Sequence, residues 1–321
     1  MAATYFFIQH SNTMKGYLIL LLISGLICQG ACNSDSEPTP KPDIDGDPAG
    51  APPKKIQENW LSHTQALTRV FYDDDVVIYF DGDMDTTIKW VNKYVGDAWR
   101  YTKKTYGGHG PDGRLYAFFH AGKYGGGHAG YYYSDVHGHR NVIDCGGGLW
   151  LTQSASNVDL ITHEIFHIVE STSFNSKGSA GYGYPDGIWG DSKYAEIFQY
   201  DVYRGLNMES HIERWYTKMN TVSDNFPKGD TYWFRDWLYP FYHEHGETAA
   251  LTKFFKLLAD YFPKDADNMY TRKLNWGEFV HFSSGAAGAD VKELATNAFG
   301  WSEEWETQWT QAKKDFPAVS Y

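Results

Sequence analysis

The chain has 321 residues, a formal net charge of −12, a pI near 5.5 and 42% hydrophobic residues. That length supports one large domain or two lobes with a sizeable core, and the acidic balance argues against nucleic acid as a partner, since phosphate binding rests on clustered Lys and Arg. Of the three cysteines, Cys28, Cys32 and Cys145, only Cys145 is expected in the folded body, so no intramolecular disulfide is expected and the core must supply the stability.

Residues 14–32 start with Met14-Lys15, continue through an apolar stretch from Tyr17 to Ile27 and end in small residues before Cys32. The apolar stretch is too short for a convincing membrane span and predicts an export signal, with residues 1–13 as an upstream extension. Gly30-Ala31-Cys32 resembles the cleavage and lipidation box of bacterial lipoproteins, with Gln29 in place of the usual aliphatic residue and Cys28 as a second option. The following Asn33-Ser34-Asp35-Ser36-Glu37 resembles the surface-export signal of some Gram-negative lipoproteins. These resemblances imply a lipid anchor through Cys32 in the outer membrane and display at the cell surface. Residues 32–55, rich in Pro, Asp, Gly and Ala, predict a disordered tether. The body is then 56–321, with lobes at about 56–172 and 173–321.

A short helix is expected around Gln57 to Val70, and Val76-Val77-Ile78-Tyr79-Phe80 predicts a buried strand. Asp81-Gly82-Asp83-Met84-Asp85 hints at calcium, but Thr86 and Asn92 occupy the EF-hand's glycine and glutamate positions, which favours a turn and helix cap. Ile88, Val91, Val95 and Trp99 mark an amphipathic helix. Strands are expected at Leu115–His120, Ala129–Tyr133 and Asn141–Asp144, between glycine-rich turns that lack phosphate-loop spacing. His137 and His139 read as loop histidines.

The chemistry is concentrated in Ile161-Thr162-His163-Glu164-Ile165-Phe166-His167-Ile168-Val169-Glu170. Residues four apart on a helix point the same way, so His163 and His167 can hold one ion. Ser156 and Asp159 suggest a capping box, and Ile161, Ile165 and Ile168 recur at helical spacing. Ionisable groups in so apolar a segment need a reason. One Zn2+ held by two neutral imidazoles supplies it, with Glu164 taking a proton from water that the ion activates. The bland alternative is a core helix whose histidines are satisfied by hydrogen bonds.

A catalytic zinc normally takes three protein ligands and keeps one position open. The next structured acids lie in Gly187-Ile188-Trp189-Gly190-Asp191-Ser192-Lys193-Tyr194-Ala195-Glu196. Here the chain resembles the HExxH zincin peptidases, particularly the gluzincins, whose second helix often begins W-x-x-E-G-[aromatic]-A. Trp189, Tyr194 and Ala195 match that frame, and its ligand glutamate falls on Ser192. Asp191, one residue earlier, and Glu196, one helical turn later, are the two candidates for third ligand, with Asp191 narrowly preferred. If Asp191 binds zinc, the resemblance places Glu196 where gluzincins keep an acid that orients a histidine. The metzincin pattern is excluded because no x-x-G-x-x-H follows the motif. The specific part of the resemblance covers residues 160–203.

Further helices are expected at Ile212–Met219, Phe234–Tyr239, Leu251–Phe262, Trp276–Phe282 and Glu303–Phe316, with Pro240 kinking or restarting one of them. This run of helices also resembles the plant basic secretory protein group and related MA-like peptidases. Tyr182, Tyr184, His243 and His245 are positional candidates for the donor that stabilises a developing negative oxygen. The strand near Asn141–Asp144 is the expected edge for pairing an extended peptide.

The expected fold is α+β and zincin-like: a small mixed β-sheet lobe, the HExxH helix and a mainly helical C-terminal lobe. The expected function is zinc-dependent hydrolysis of peptide bonds in extracellular proteins, glycoproteins included, with one catalytic Zn2+. Twelve Trp, 24 Tyr and 19 Phe suggest an alternative, an aromatic-rich glycan- or protein-binding surface lipoprotein on a zincin scaffold. A zinc hydrolase acting on something other than protein is the third reading. Nothing in the sequence fixes an oligomeric state.

Overall fold

The computed structural model describes residues 46–183 and 187–321. The chain divides into two units, 1–51 and 52–321. Of the first, only 46–51 are described, and they form a turn in which the Ala51 amide donates to the Pro48 carbonyl at 3.1 Å. The expected export signal, the Cys32 anchor and most of the tether lie outside the described residues.

The second unit is α+β. Its sheet is built from β1 (Lys55–Gln57), β2 (Ala66–Tyr72), β3 (Val76–Phe80), β4 (Leu115–Phe119), β5 (Gly126–Gly130) and β6 (Asn141–Gly146), in the order β1-β2-β3-β4-β6-β5. β3, β4 and β6 run parallel, while the β1–β2, β2–β3 and β5–β6 pairs are antiparallel. The β-branched and aromatic residues that predicted β3 make it a central strand buried throughout.

Two expectations near the N-terminus are corrected. The stretch around Gln57 to Val70 is not a helix; it is β1, a loop and β2, paired from Lys55 with Thr68 to Gln57 with Ala66. Ala66-Leu67-Thr68 alternates exposed, buried and exposed, a period-two pattern that a helix cannot bury on one side. Contacts with the sheet also begin inside the expected tether, since the Tyr79 hydroxyl donates to the Pro53 carbonyl at 2.7 Å and the Arg69 amide to the Lys54 carbonyl at 2.8 Å.

The sheet has two buried faces. Val76, Ile78, Phe80, Ala117, Phe119, Ile143 and Cys145 point into the main core, against α1 (Trp90–Tyr106) and α2 (Ala155–Thr172). Val77, Tyr79, Tyr116, Phe118 and Val142 point the other way and are covered by Trp60 from the β1–β2 loop. The expected peptide-pairing strand, Asn141–Asp144, is β6, an interior strand between β4 and β5; the sheet ends instead at β5, which spans 126–130 and not the expected 129–133.

After α2 the regular structure is mainly helical: α3 (Lys193–Gly205), α4 (Glu209–Met219), a π-helical turn (Trp233–Leu238), α5 (Tyr239–Glu244), α6 (Thr248–Tyr261), α7 (Trp276–Ala287), α8 (Lys292–Phe299) and α9 (Glu303–Asp315). Pro240 restarts the helix at the head of α5, where its missing N–H costs nothing. α2 begins two residues earlier than its expected capping box: Ser154, not Ser156, caps it by accepting from the Asn157 amide at 3.3 Å. Asp159 is occupied elsewhere, with Tyr203 donating at 2.7 Å and Arg214 at 3.0 Å.

Asp201 joins the helices. Fully buried on α3, it accepts from the hydroxyls of Tyr101 (2.9 Å) and Tyr106 (2.7 Å) on α1, Tyr242 (2.9 Å) on α5 and Thr248 on α6. Removing an acceptor strands buried donors at about 1–3 kcal/mol each. Asp201→Ala is therefore expected to destabilise the protein by at least about 3 kcal/mol in urea unfolding, while Asp201→Asn, which keeps an acceptor oxygen and the shape, is expected to lose well under half as much.

Candidate metal centre

α2 carries His163, Glu164 and His167 because Val158, Ile161, Ile165, Phe166 and Ile168 anchor the rest of its surface in the core. The two histidines are partly buried, with a small part of the His167 ring exposed, whereas Glu164 is buried. Their Nε2 atoms face each other at 3.1 Å. His167 Nδ1 lies 2.7 Å from Glu170 Oε1, and this carboxylate orients the ring so that Nε2 turns outward. The other Glu170 oxygen accepts from Trp189 Nε1 at 2.7 Å and the Ser179 hydroxyl at 3.4 Å.

Those last two contacts position the third member. Ser179 and Trp189 bracket the connection to α3, and Trp189 is fully buried against Tyr194 and Phe254. Gly181 lets the chain pass over the indole, since a Cβ there would sit 2.1 Å from the ring. The turn then closes with Gly183 donating to the Gly190 carbonyl at 3.1 Å and delivers Asp191 just before α3 begins. His163, His167 and Asp191 each offer a ligand atom within 4.8 Å of the others.

Glu196 does not join this group. It lies inside α3 on the side facing α4, its carboxylate 3.2 Å from Lys193 Nζ and its carbonyl accepting from Trp215 Nε1 at 2.8 Å. The role of orienting a histidine, which the resemblance gave to Glu196, is taken by Glu170. Sequence reasoning missed that residue, although its position three after His167 puts it one turn along the same helix face.

Among the positional donor candidates, Tyr184 lies outside the described residues. His243 is exposed and stacks on Tyr239 (5.4 Å), which packs with Tyr200, Tyr216 and Phe234 between α3 and α4; His245 lies beside Phe241. Tyr182 sits at the histidines: its ring is 5.5 Å from that of His167, and burial together with the neighbouring Asp191 carboxylate raises its hydroxyl pKa, so that it remains a donor at neutral pH.

The electrostatics divide the group. Burial pushes Glu164 up to about 7, and one of its oxygens, Oε2, has no hydrogen-bond partner. Burial also pulls His163 down to about 4. It acts on His167 in the same direction, but the Glu170 hydrogen bond and charge outweigh it and bring that imidazole to about 9. β5 lies directly over Glu164: a Cβ on Gly127 would come within 2.7 Å of Oε1.

A second group appears that the sequence did not suggest. Glu58, His63, His120 and Asp144, all buried, bring their ligand atoms within 4.8 Å of one another and could hold a metal ion. They are scattered along the chain, so no spacing announces them. The calcium-like string beside them is a turn, in which Asp81 accepts from the Asp83 and Met84 amides and Asp85 from the Thr87 amide.

Replacing Glu170 by Gln is expected to lower the affinity of the His163–His167 pair for a divalent ion by about 10- to 100-fold. Glu196→Gln is expected to leave it unchanged. Competition titration against a chromophoric chelator reads both, and equal losses would remove the distinction between these two glutamates.

No known protein family matches the chain, and no curated protein matches it either.

Proposed function

We propose that the chain is a zinc-dependent peptidase on a zincin-like scaffold that hydrolyses peptide bonds of proteins outside the cell. The observation that carries this reading is the convergence of His163 Nε2, His167 Nε2 and the Asp191 carboxylate beside a buried Glu164 whose Oε2 lacks a partner. The donor set fits the ion. Tetrahedral zinc, with Zn–N bonds of about 2.0–2.1 Å, separates two nitrogen ligands by roughly 3.3–3.4 Å, close to the 3.1 Å found. Two nitrogens and one carboxylate on an accessible surface also leave a position for substrate or water.

His163, His167 and Asp191 would hold the zinc, which when bound supplies Lewis acidity, making water acidic near neutral pH and drawing electron density from a peptide carbonyl. Glu164 performs the proton transfers. Its unpartnered Oε2 accepts a proton from the attacking water and then delivers it to the departing amine. Tyr182 donates a hydrogen bond to the carbonyl oxygen as negative charge develops there. β5, antiparallel and last in the sheet, offers its open edge to an extended peptide. Gly127 keeps that edge clear in front of Glu164.

The competing aromatic-binding reading lacks comparable support, because all twelve tryptophans are buried or half-buried. Export and lipidation at Cys32, in the outer membrane of a Gram-negative bacterium, rest on the sequence signal. No described helix is long and apolar enough to cross a membrane.

Glu164→Gln is expected to reduce cleavage of a denatured protein mixture by about 10²- to 10⁴-fold while the ion stays bound. Tyr182→Phe is expected to lower kcat by about 10²-fold with little change in KM. Mass spectrometry of the products, with chelator-treated protein as control, reads both. Unchanged cleavage by Glu164→Gln would refute the assignment.

A further inference from the structure

The second polar group lies on the opposite face of the sheet from Glu164. Glu58 and His63 come from the β1–β2 loop, His120 follows the last residue of β4, and Asp144 is on β6. The loop folds back because Glu58 and Gln65 exchange two hydrogen bonds, backbone amide to carbonyl at 3.0 Å and the Gln65 amide to Glu58 Oε2 at 3.0 Å. Trp60 seals it by stacking on Phe118 at 5.3 Å.

Each inner atom of this group is left free by an anchored outer atom. Glu58 Oε2 is held by the Gln65 amide, leaving Oε1. Asp144 Oδ2 accepts from Trp60 Nε1 at 2.7 Å and lies 2.9 Å from His63 Nδ1, leaving Oδ1. His120 Nδ1 lies 3.2 Å from Asp81 Oδ2, leaving Nε2. Nε2 is then 3.0 Å from both Glu58 Oε1 and Asp144 Oδ1. Short as these contacts are, none of the three atoms makes a well-aligned hydrogen bond. The side chains of Glu58, His120 and Asp144 have no exposed surface.

A proton alone serves such a set poorly. One N–H shared between Glu58 Oε1 and Asp144 Oδ1 would make two bent bonds, leaving neither inner oxygen well satisfied in a site closed to water. Atoms that aim at a common point instead of at one another are arranged as ligands to a cation, and two carboxylates balance a divalent charge. Two imidazoles with two carboxylates suit zinc and its transition-metal neighbours. Calcium asks for six to eight oxygens and magnesium for an oxygen octahedron.

We propose that Glu58, His63, His120 and Asp144 bind a second divalent ion of the zinc class, structural in role, which fastens the β1–β2 loop to the carboxyl ends of β4 and β6. With three free ligand atoms and a fourth from His63, whose Nδ1 would turn from Asp144 Oδ2 to the ion, this nearly closed site has no position open to substrate, the arrangement of a structural zinc. The outer carboxylate of Asp81 behind His120 parallels Glu170 behind His167. The ion would also brace β5 from behind, because His128 pairs across the strands with Asp144 while Gly127 faces Glu164.

The test uses the purified full-length chain, equilibrated with excess zinc and dialysed, with bound metal measured by plasma mass spectrometry. A His163→Ala/His167→Ala double variant removes the front pair, so any remaining ion reports on this group alone, whatever the fate of the peptidase reading. One zinc per chain is expected to remain in that variant. Stripping it with a strong chelator should lower the melting midpoint, and adding Glu58→Gln should weaken its binding by about a hundredfold or more. If the double variant is folded by circular dichroism yet holds no zinc, the site does not exist. Zinc held as tightly after Glu58→Gln would also overturn the assignment.

Discussion

Alternation along two paired strands is the constraint on which both polar centres depend. In β5 and β6, Gly127 pairs with Cys145 and His128 with Asp144. Successive side chains point to opposite faces, so Gly127 and Cys145 lie on the side of the HExxH helix while His128 and Asp144 lie on the side of the Glu58 loop. A register slip of one residue would put Asp144 into the apolar core and a cysteine into the carboxylate cluster. The full burial of β3, β4 and β6 makes that slip prohibitively unfavourable.

Charge is handled differently at the two centres. A buried carboxylate is tolerable only when its oxygens are satisfied, and in one arrangement one oxygen is fixed by the protein while the other is presented. Glu58 and Asp144 follow this pattern on one face. On the other, Glu170 spends both oxygens, one on the His167 ring and one on Trp189 and Ser179, and so couples the orientation of a histidine to the path of the loop that delivers Asp191. Asp201 is the contrasting case, a buried carboxylate consumed entirely by hydroxyl donors in the helical lobe.

The HExxH helix, the central strand at Val76–Phe80 and most helices of the second lobe were legible because each depends on local pattern. The β1–β2 region was not: Trp60 and Leu61 in the loop blur the alternation on either side, and only the pairing of Lys55–Gln57 with Ala66–Thr68 resolves it. The choice between Asp191 and Glu196 turned on where α3 begins and which way it faces, and Glu196 faces α4, where its carbonyl accepts from Trp215. Glu58, His63, His120 and Asp144 carry no local signal at all, since their meeting is a product of sheet order.

Three of the five residues of β5 are glycine. A strand with so little side chain has more main-chain freedom to lose when it pairs than one of ordinary residues. Two molecules that met edge to edge through β5 would each pay that entropy and gain almost no packing in return. An incoming chain with large side chains could instead supply the missing contacts. The bare edge is thus a poor partner for itself, which guards against polymerisation through the strand that an exposed sheet edge ordinarily invites.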